Sequence, residues 1–390
     1  MQVAVVGGKL QGVEAVYLAR KAGWETLLVD RTSNVPAMGL CNQFFLGDVN
    51  DKQTAWKVME NADLIIPALE NDSALASLAH IAEMASIPLA FDPAAYSLSA
   101  SKVKSNRLFS HLTLPTPLSW PACDFPVMVK PDGGSGSTGV RVVRDAEELG
   151  RLLPGRDISE KKVIQEFVPG PTYSLEVIGR PGSYATLQVT DLSMDRSYDC
   201  KRVCAPSAMA PSLVEEFEKL SIQVASQIRL RGIMDMEVVL SSQGLKILEI
   251  DARLPSQTPT VVYWSTGVNM LELLKAIFVD GSQLPKAVSP TPRSVLYEHI
   301  SISPHTLDIC GEHIMAHAGP LQLLPEFFGS DEALTNYRPG RQSWQATMIY
   351  AADNRKELQF KRNRTLESIR GQFRLSRMIE SIPDRRCTMP

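Results

Sequence analysis

Cysteine is scarce in this chain: six of 390 residues, Cys41, Cys123, Cys200, Cys204, Cys310 and Cys387, with no C-x-x-C pair among them. Cys200 and Cys204 lack a second pair at zinc spacing, so neither a disulfide framework nor a zinc module is expected. Charge of one sign is missing too. The formal net charge is -3 and no block of like charges runs beyond a few residues, which argues against an electrostatic nucleic-acid or membrane surface. No apolar run approaches the roughly 18 residues of a membrane span, and the N-terminus carries no charged-then-apolar signal with a cleavage site. There is no internal repeat and no low-complexity tract. These absences predict a reduced, cytoplasmic protein whose partners are small molecules, with no nucleic acid and no membrane. A chain of 390 residues with 44% hydrophobic content is long enough for two or three domains with real cores.

The chain opens "MQVAVVGGKLQGVEAVYLARKAGWETLLVD": a strand-like run from Val3 to Val6, a glycine turn, a helical stretch, and a second apolar run, Leu27 to Val29, closed by Asp30. That is nearly a dinucleotide-binding unit. The glycines depart from it, because Gly7, Gly8 and Gly12 miss the G-x-G-x-x-G spacing and Lys9 and Gln11 stand where close-approach glycines would be. A plain strand-turn-helix that binds nothing there is an equal alternative. Strand and helix patterns then alternate through "ADLIIPAL", "ALASLAHIAEMA" and "IPLAFD", so one parallel-sheet domain is expected to end near residue 95. "SASKVKSNRLFSHLTLPTPLSWP" reads as a helix running into a Pro-punctuated linker, and from Phe125 the pattern changes to strand, loop, strand. The expected division is an N-terminal domain over 1–98, a central domain over 99–182 and a C-terminal domain over 183–390.

Two stretches carry chemistry. In "FPVMVKPDGGSGSTGVRVV", Lys130 ends an apolar strand and a loop of Gly133, Gly134, Ser135, Gly136, Ser137, Thr138 and Gly139 follows. A cation and a set of backbone N–H donors suit a polyphosphate. The loop is no P-loop, since the lysine precedes the glycines, and a flexible hairpin is the plain alternative. In "GIMDMEVVLSSQGLKILEIDAR", two strand-like runs joined by a short turn at Gln243 and Gly244 let Glu237 and Glu249 face each other. Asp235 and Asp251 fall on the same faces by the period of two. Up to four crowded carboxylates would be relieved by a divalent cation, and hard oxygen donors favour Mg²⁺ over zinc. A solvated strand face is the alternative, which the apolar flanks disfavour.

Together with the helical Lys102 and the segment "VIQEFV", these features resemble the ATP-grasp superfamily, and the resemblance spans essentially the whole chain. It implies an α/β fold in which an N-terminal Rossmann-like domain is followed by two α+β domains that clasp ATP. By the same resemblance, Gln165, Glu166, Phe167 and Val168 contact the adenine, and Lys102, Lys130 and the loop residues Gly133, Gly134, Ser135 and Ser137 hold the phosphates. Glu237, Glu249 and Asp251 hold Mg²⁺. The last of these positions is commonly Asn in the superfamily, and Pro171 replaces the ribose-binding acid often found after the hinge glycine. "GGKLQG", "PTYSLEVIG", "YDC", "GIMDMEVV", "EIDARLPSQTPTVVYWSTGVN" and "EHIMAHAGP" resemble one branch more closely, the ligases of pyrrolysine biosynthesis. That branch implies ATP-dependent joining of the carboxylate of 3-methyl-D-ornithine, or D-ornithine, to the ε-amine of L-lysine, with ADP and phosphate released.

A carboxylate is a poor electrophile, and phosphoryl transfer that makes it an acyl phosphate calls for charge neutralisation. Arg253 alternates onto the face of Glu249 and Asp251, where its guanidinium can clamp a carboxylate or a phosphoryl group; pairing with the surrounding acids is its plainer role. Lysine must also lose a proton. Glu176 and Asp199 are the candidate bases, Glu176 preferred because a strand holds a base more rigidly than a loop does. Both are expected readers of the substrate ammonium groups, a plain surface acid being an equal alternative for Asp199, with Asp235 the other inward candidate; Ser174, Ser256 and Thr258 would add neutral hydrogen bonds. Lys9, Gln11 and Glu70 sit at strand ends suited to substrate, and Asp30 suits a subsidiary adenosine contact. Competing readings are a carboxylase of the same superfamily, for which a Met-Lys-Met biotin segment is lacking, a nicotinamide oxidoreductase, and a silent nucleotide-binding module. Monomer and homodimer are both left open.

Overall fold

The computed structural model describes residues 1–134, 136–153, 162–282 and 292–382. Its first unit follows from alternating apolar runs: β1 (Gln2–Val6), α1 (Leu10–Lys21), β2 (Glu25–Asp30), β3 (Gln43–Leu46), α2 (Lys52–Asn61), β4 (Leu64–Pro67) and α3 (Asp72–Ala85). The four strands form a parallel sheet in the order β3-β2-β1-β4. Covered on both faces, β4 is buried along its whole length, and β1 and β2 over four residues each, as a parallel sheet requires. Helix starts are set by short polar side chains: Asp51 accepts from Thr54 N at α2 and Asn71 from Ala74 N at α3, which satisfies amides that the helix leaves unpaired.

Two helices, α4 (Pro93–Ser99) and α5 (Lys102–His111), lead to a small antiparallel sheet of β5 (Val127–Pro131), β6 (Arg141–Val143) and β7 (Lys162–Glu166) in the order β6-β5-β7, with α6 (Ala146–Leu152) against it. Val127, Val129, Val143 and Leu149 give this sheet a core of its own.

The remainder builds one large, mostly antiparallel sheet. Its strands are β8 (Thr172–Arg180), β9 (Ser183–Thr186), β10 (Thr190–Met194), β11 (Cys200–Ala205), β12 (Gly232–Ser241), β13 (Gly244–Asp251), β14 (Ser294–Ser303), β15 (Thr306–Ile309), β16 (Gln322–Pro325), β17 (Glu332–Thr335), β18 (Trp344–Ala352) and β19 (Arg377–Glu380). Nine of them follow the path β13-β12-β8-β10-β11-β14-β18-β17-β16, while β9 pairs with β8, β15 with β14 and β19 with β15. The helices are α7 (Pro211–Gln227), α8 (Thr258–Thr266), α9 (Met270–Lys275), the single turn α10 (His313–Ala316) and α11 (Arg355–Phe373). The boundary expected at 182 falls inside the β8–β9 hairpin of this sheet.

Helix α1 is the seam between the first unit and the large sheet. Val13, Val16 and Leu18 belong to one buried cluster with Val261, Leu271, Tyr297 and Ile349. Around it, Trp264 donates to the Tyr17 hydroxyl at 2.7 Å, Tyr17 donates to Glu332 at 2.7 Å and Asn269 donates to Leu18 O at 2.9 Å. Burying a large aliphatic or aromatic side chain stabilises by about 1.5–3 kcal/mol, so a shared core of this extent holds the two units in one orientation. The strand ends of the first sheet therefore overhang one face of β12 and β13, and the small sheet roofs the other end of that face. Among the described residues no helix is long and apolar enough to cross a membrane.

Candidate active site

The floor of the cleft is made by register. Asp235 pairs with Asp251 and Glu237 with Glu249 across β12 and β13, while β8 places Glu176 beside Asp235 and Ser174 beside Glu237. The β12–β13 hairpin closes tightly, with Gly244 at φ 102°, a backbone conformation that glycine takes without strain. Five carboxyl groups thus share one face of three adjacent strands, and like charges so close cannot all ionise freely. Burial pushes Glu237 well above the carboxylate range and the neighbouring Glu249 pushes it further. Burial acts on Glu249 in the same sense, yet Lys102 and Lys130 outweigh it and hold that carboxyl below its ordinary value. Asp235 is raised to about 7 by burial against the opposing Ser174 hydrogen bond, and Asp251 to about 6 by burial against the opposing Arg253 charge.

The cations arrive from the other two layers. Lys102, at the start of α5, lies 3.3 Å from Glu249 and donates to Gly134 O at 2.8 Å, so it also anchors the glycine loop. Ser101 caps α5 through Lys104 N and donates to Asp132 at 2.7 Å, which fixes where Lys102 emerges. Lys130, next to last in β5, is 8% exposed, and burial lowers its pKa although Glu249 pulls it back up. Just past the end of β13, Arg253 bridges Asp251 at 2.7 Å and Glu70 at 2.6 Å, and Gln11 donates to Glu70 at 2.9 Å. This polar chain runs from the first unit to the acidic hairpin.

Two cavities meet over this floor. One of about 800 Å³ reaches from the strand ends of the first sheet to the acids and Arg253; the other, about 730 Å³, lies between the small sheet and β8 and β12. Lys102, Gly134, Ser137, Glu237 and Glu249 border both. Of the expected site residues, Lys9, Gln11, Asp30, Glu70, Gly133, Asp199, Asp235, Asp251, Arg253, Ser256 and Thr258 border the first. Lys130, Gln165, Glu166, Phe167 and Val168 border the second. Ser135 lies outside the described residues.

Four expectations change. Glu176 does not border either cavity: at 0% exposure it lies beside Asp235, and burial followed by the Asp235 charge pushes it to about 8 against the opposing Thr258 side chain. Its burial sets it apart from the other four acids of the floor, Asp235, Glu237, Glu249 and Asp251, which border a cavity. Ser174 is likewise buried and donates to Asp235. Asp199 is engaged through one oxygen, which accepts from His313 Nδ1 at 2.7 Å and His313 N at 3.1 Å, while its other oxygen has no partner. Asp30 is occupied by its own turn, accepting from Gly8 N at 2.7 Å and Thr32 N at 2.8 Å. The opening glycines serve packing: a Cβ on Gly12 would stand 2.1 Å from Gly7 O, so Gly12 brings helix and strand together.

Glu14 escaped the sequence reading. Buried on α1, it accepts from Gln257 N at 3.3 Å and Thr260 N at 2.5 Å, and so caps α8 from another unit. Burial raises its pKa to about 7 against those hydrogen bonds. An acid inside an apolar helical run was the available signal. His313 and His317, four residues apart within "EHIMAHAGP", also border the larger cavity.

Residues 99–257 match the family described as ATP-grasp domain. The chain is 37% identical over 317 residues to the 3-methyl-D-ornithine–L-lysine ligase of Methanosarcina acetivorans, covering 80% of this chain and 84% of that one. It is 33% identical over 380 residues to the ligase of the same name from Methanosarcina mazei, at 95% and 96% coverage. Among solved structures it is similar to a biotin carboxylase from Campylobacter jejuni (TM-score 0.71, 14% identity, 94% of this chain and 91% of that one). It is also similar to N5-carboxyaminoimidazole ribonucleotide synthetase from Thermus thermophilus (TM-score 0.67, 16% identity, 94% and 98%). At these identities the structural likeness is one of fold.

Proposed function

The chain belongs to the family of 3-methyl-D-ornithine–L-lysine ligases within the ATP-grasp fold, and from that premise we propose that it joins the carboxylate of 3-methyl-D-ornithine, or D-ornithine, to the ε-amine of L-lysine. It is an ATP-dependent, ADP-forming carbon–nitrogen ligase. The observation that carries the reading is the junction of the two cavities, where Lys102, Lys130 and Glu249 stand between a slot bounded by Gln165–Val168 and a polar chamber holding Arg253 and Glu70. A nucleotide in the slot has its phosphates at the lysines and its terminal phosphate toward the chamber.

The donor set fits Mg²⁺. Glu237, Glu249 and Asp251 are hard oxygen ligands, and one oxygen of Asp251 has no partner. No three His, Cys, Asp or Glu side chains already converge as a metal cage among the described residues; Mg²⁺ at a polyphosphate uses one or two carboxylates and completes its shell with phosphate and water. Bound there, the ion would neutralise charge on the phosphates as the carboxylate attacks. Lys102 and Lys130 share that task from the protein side. Arg253 orients the attacking carboxylate. Its present partner Glu70 is free to take a substrate ammonium when the carboxylate takes the guanidinium, so one ion pair accommodates both ends of an amino acid.

The test is direct. Purified protein with ATP, Mg²⁺, L-lysine and D-ornithine should yield the lysine amide by mass spectrometry, with equimolar ADP and phosphate. AMP and pyrophosphate in their place, or ADP release without any lysine-dependent amide, would overturn the assignment.

A further inference from the structure

The geometry points to His313, oriented by Asp199, as the group that accepts the proton of the attacking amine, an inference that rests on the ligase reading above. With Glu176 buried in the sheet, the cleft needs another base. His313 borders the larger cavity together with Arg253, Ser256 and Glu237, its side chain 45% exposed. Its Nδ1 is held by Asp199 at 2.7 Å, which leaves Nε2 as the nitrogen able to exchange a proton.

The ring also marks the phosphate end of the cleft. A Cβ placed on Gly136 would stand 2.9 Å from Nε2 and 2.7 Å from Cε1, so the imidazole lies directly against the glycine loop. The loop is seated beside it, Ser137 donating to Tyr198 O at 2.6 Å. Asp199 is itself immobilised, 7% exposed, with its backbone N–H donating to Asp195 at 3.1 Å. A carboxylate that fixes an imidazole's orientation and supports its charged form is the arrangement a general base requires. The charged groups around the ring are Asp199 and Asp195 from the β10–β11 connection and Glu312 on its own segment, and their fields, led by the Asp199 hydrogen bond, raise its pKa above the ordinary histidine value. The loop residues against it, Gly136 to Thr138, bring no charge.

The step balances as follows. Lysine enters as an ε-ammonium, and Nε2 of neutral His313 takes one proton and frees the nitrogen lone pair. The nitrogen forms a bond to the carbonyl carbon of the acyl phosphate, and the C–O bond to phosphate breaks with its electron pair. The second amine proton leaves with the phosphate, and the imidazolium, paired with Asp199, returns its proton to solvent.

The experiment measures ADP release and amide yield together from pH 6 to 9.5 in the wild type, His313→Gln and Asp199→Asn, with ATP, Mg²⁺, D-ornithine and L-lysine. In the wild type, amide formation should rise with pH along one acid limb as the imidazole loses its proton. His313→Gln should keep ADP release within a fewfold while amide yield at neutral pH falls on the order of a hundredfold. Activity should recover as the pH nears the free amine's value of about 10.4. Asp199→Asn, which acts only through the histidine, should move the acid limb to lower pH. A parallel fall of ADP and amide in His313→Gln with an unchanged pH profile would overturn the inference and leave a loop contact. If the wild type forms ADP but no amide, the ligase reading falls first and this inference with it.

Discussion

A carboxylate beside a carboxylate keeps its charge most readily where cations answer it, and in this cleft Lys102 and Lys130 answer Glu249. Glu249→Gln should therefore cost at least two orders of magnitude in turnover at saturating Mg²⁺ while leaving the circular dichroism spectrum unchanged, because the lysines lose their counter-ion and a metal loses a ligand. Near-wild-type turnover would remove the residue from the metal set. Arg253 makes a separate claim. Its fork spans two carboxylates, and a lysine offers a single point charge, so Arg253→Lys should raise the KM for the ornithine substrate by about tenfold or more with a smaller effect on the KM for ATP. Buried Glu14 speaks to stability. Its folded pKa, about 7, exceeds the ordinary value, so the folded state holds a proton that the unfolded chain has released above roughly pH 4.5. Its contribution is present at low pH and is lost as pH rises from about 4.5 through about 7, in total about 3 kcal/mol. Glu14→Gln should flatten that part of the profile of midpoint against pH in urea unfolding, and an unaltered slope would show that the residue does not titrate there.

At the scale of elements, what the sequence declares is whatever has a local period. The strand ending at Lys130, the glycine loop after it and the acidic hairpin could be read from residue order, because a period of two and a turn decide which side chains share a face. What could not be read is partnership over distance. Glu176 has the same alternation as Glu237 and lies on the same face, yet it is fully buried among groups distant in sequence, Thr258 at the start of α8 and Glu14 on α1. Asp199 gained its partner from a segment 114 residues later, and Glu14 caps a helix start 246 residues away; no spacing encodes either. The connection between the small sheet and β8 shows how tightly such elements are set. A Cβ on Gly170 would come within 2.1 Å of Leu240 O, a backbone atom that cannot swing aside. Gly170→Ala should therefore lower the thermal midpoint by a few degrees and raise the KM for ATP, since either the nucleotide slot or the end of β12 must shift. A variant with unchanged midpoint and unchanged KM would show that the segment yields freely.

On the scale of the whole molecule, the three layers are not held alike. The first unit and the large sheet share a continuous core across α1, reinforced where Lys21 and Tyr17 both engage Glu332. The small sheet has a separate core of four buried residues, and its contacts with the rest include Lys246 to Glu166 at 2.8 Å, Ser137 to Tyr198 O at 2.6 Å and the edge-on rings of Phe167 and Tyr198. A body with few shared apolar contacts opens at a smaller free-energy cost than one fused into the main core. The small sheet is thus expected to open ahead of the rest, and the chamber formed by Glu70, Arg253 and the acidic hairpin to keep its shape. Hydrogen exchange tests this division. Without nucleotide, amides of β5 and β7 should exchange well before those of β1, β4 and β12, and a non-hydrolysable ATP analogue with Mg²⁺ should slow the first group far more than the second. Substrate alone should protect little in the small sheet, because its expected contacts lie in the chamber. Equal protection of all three layers before any ligand is added would mean that the roof is as firmly held as the floor, and that entry to the slot requires the whole molecule to open.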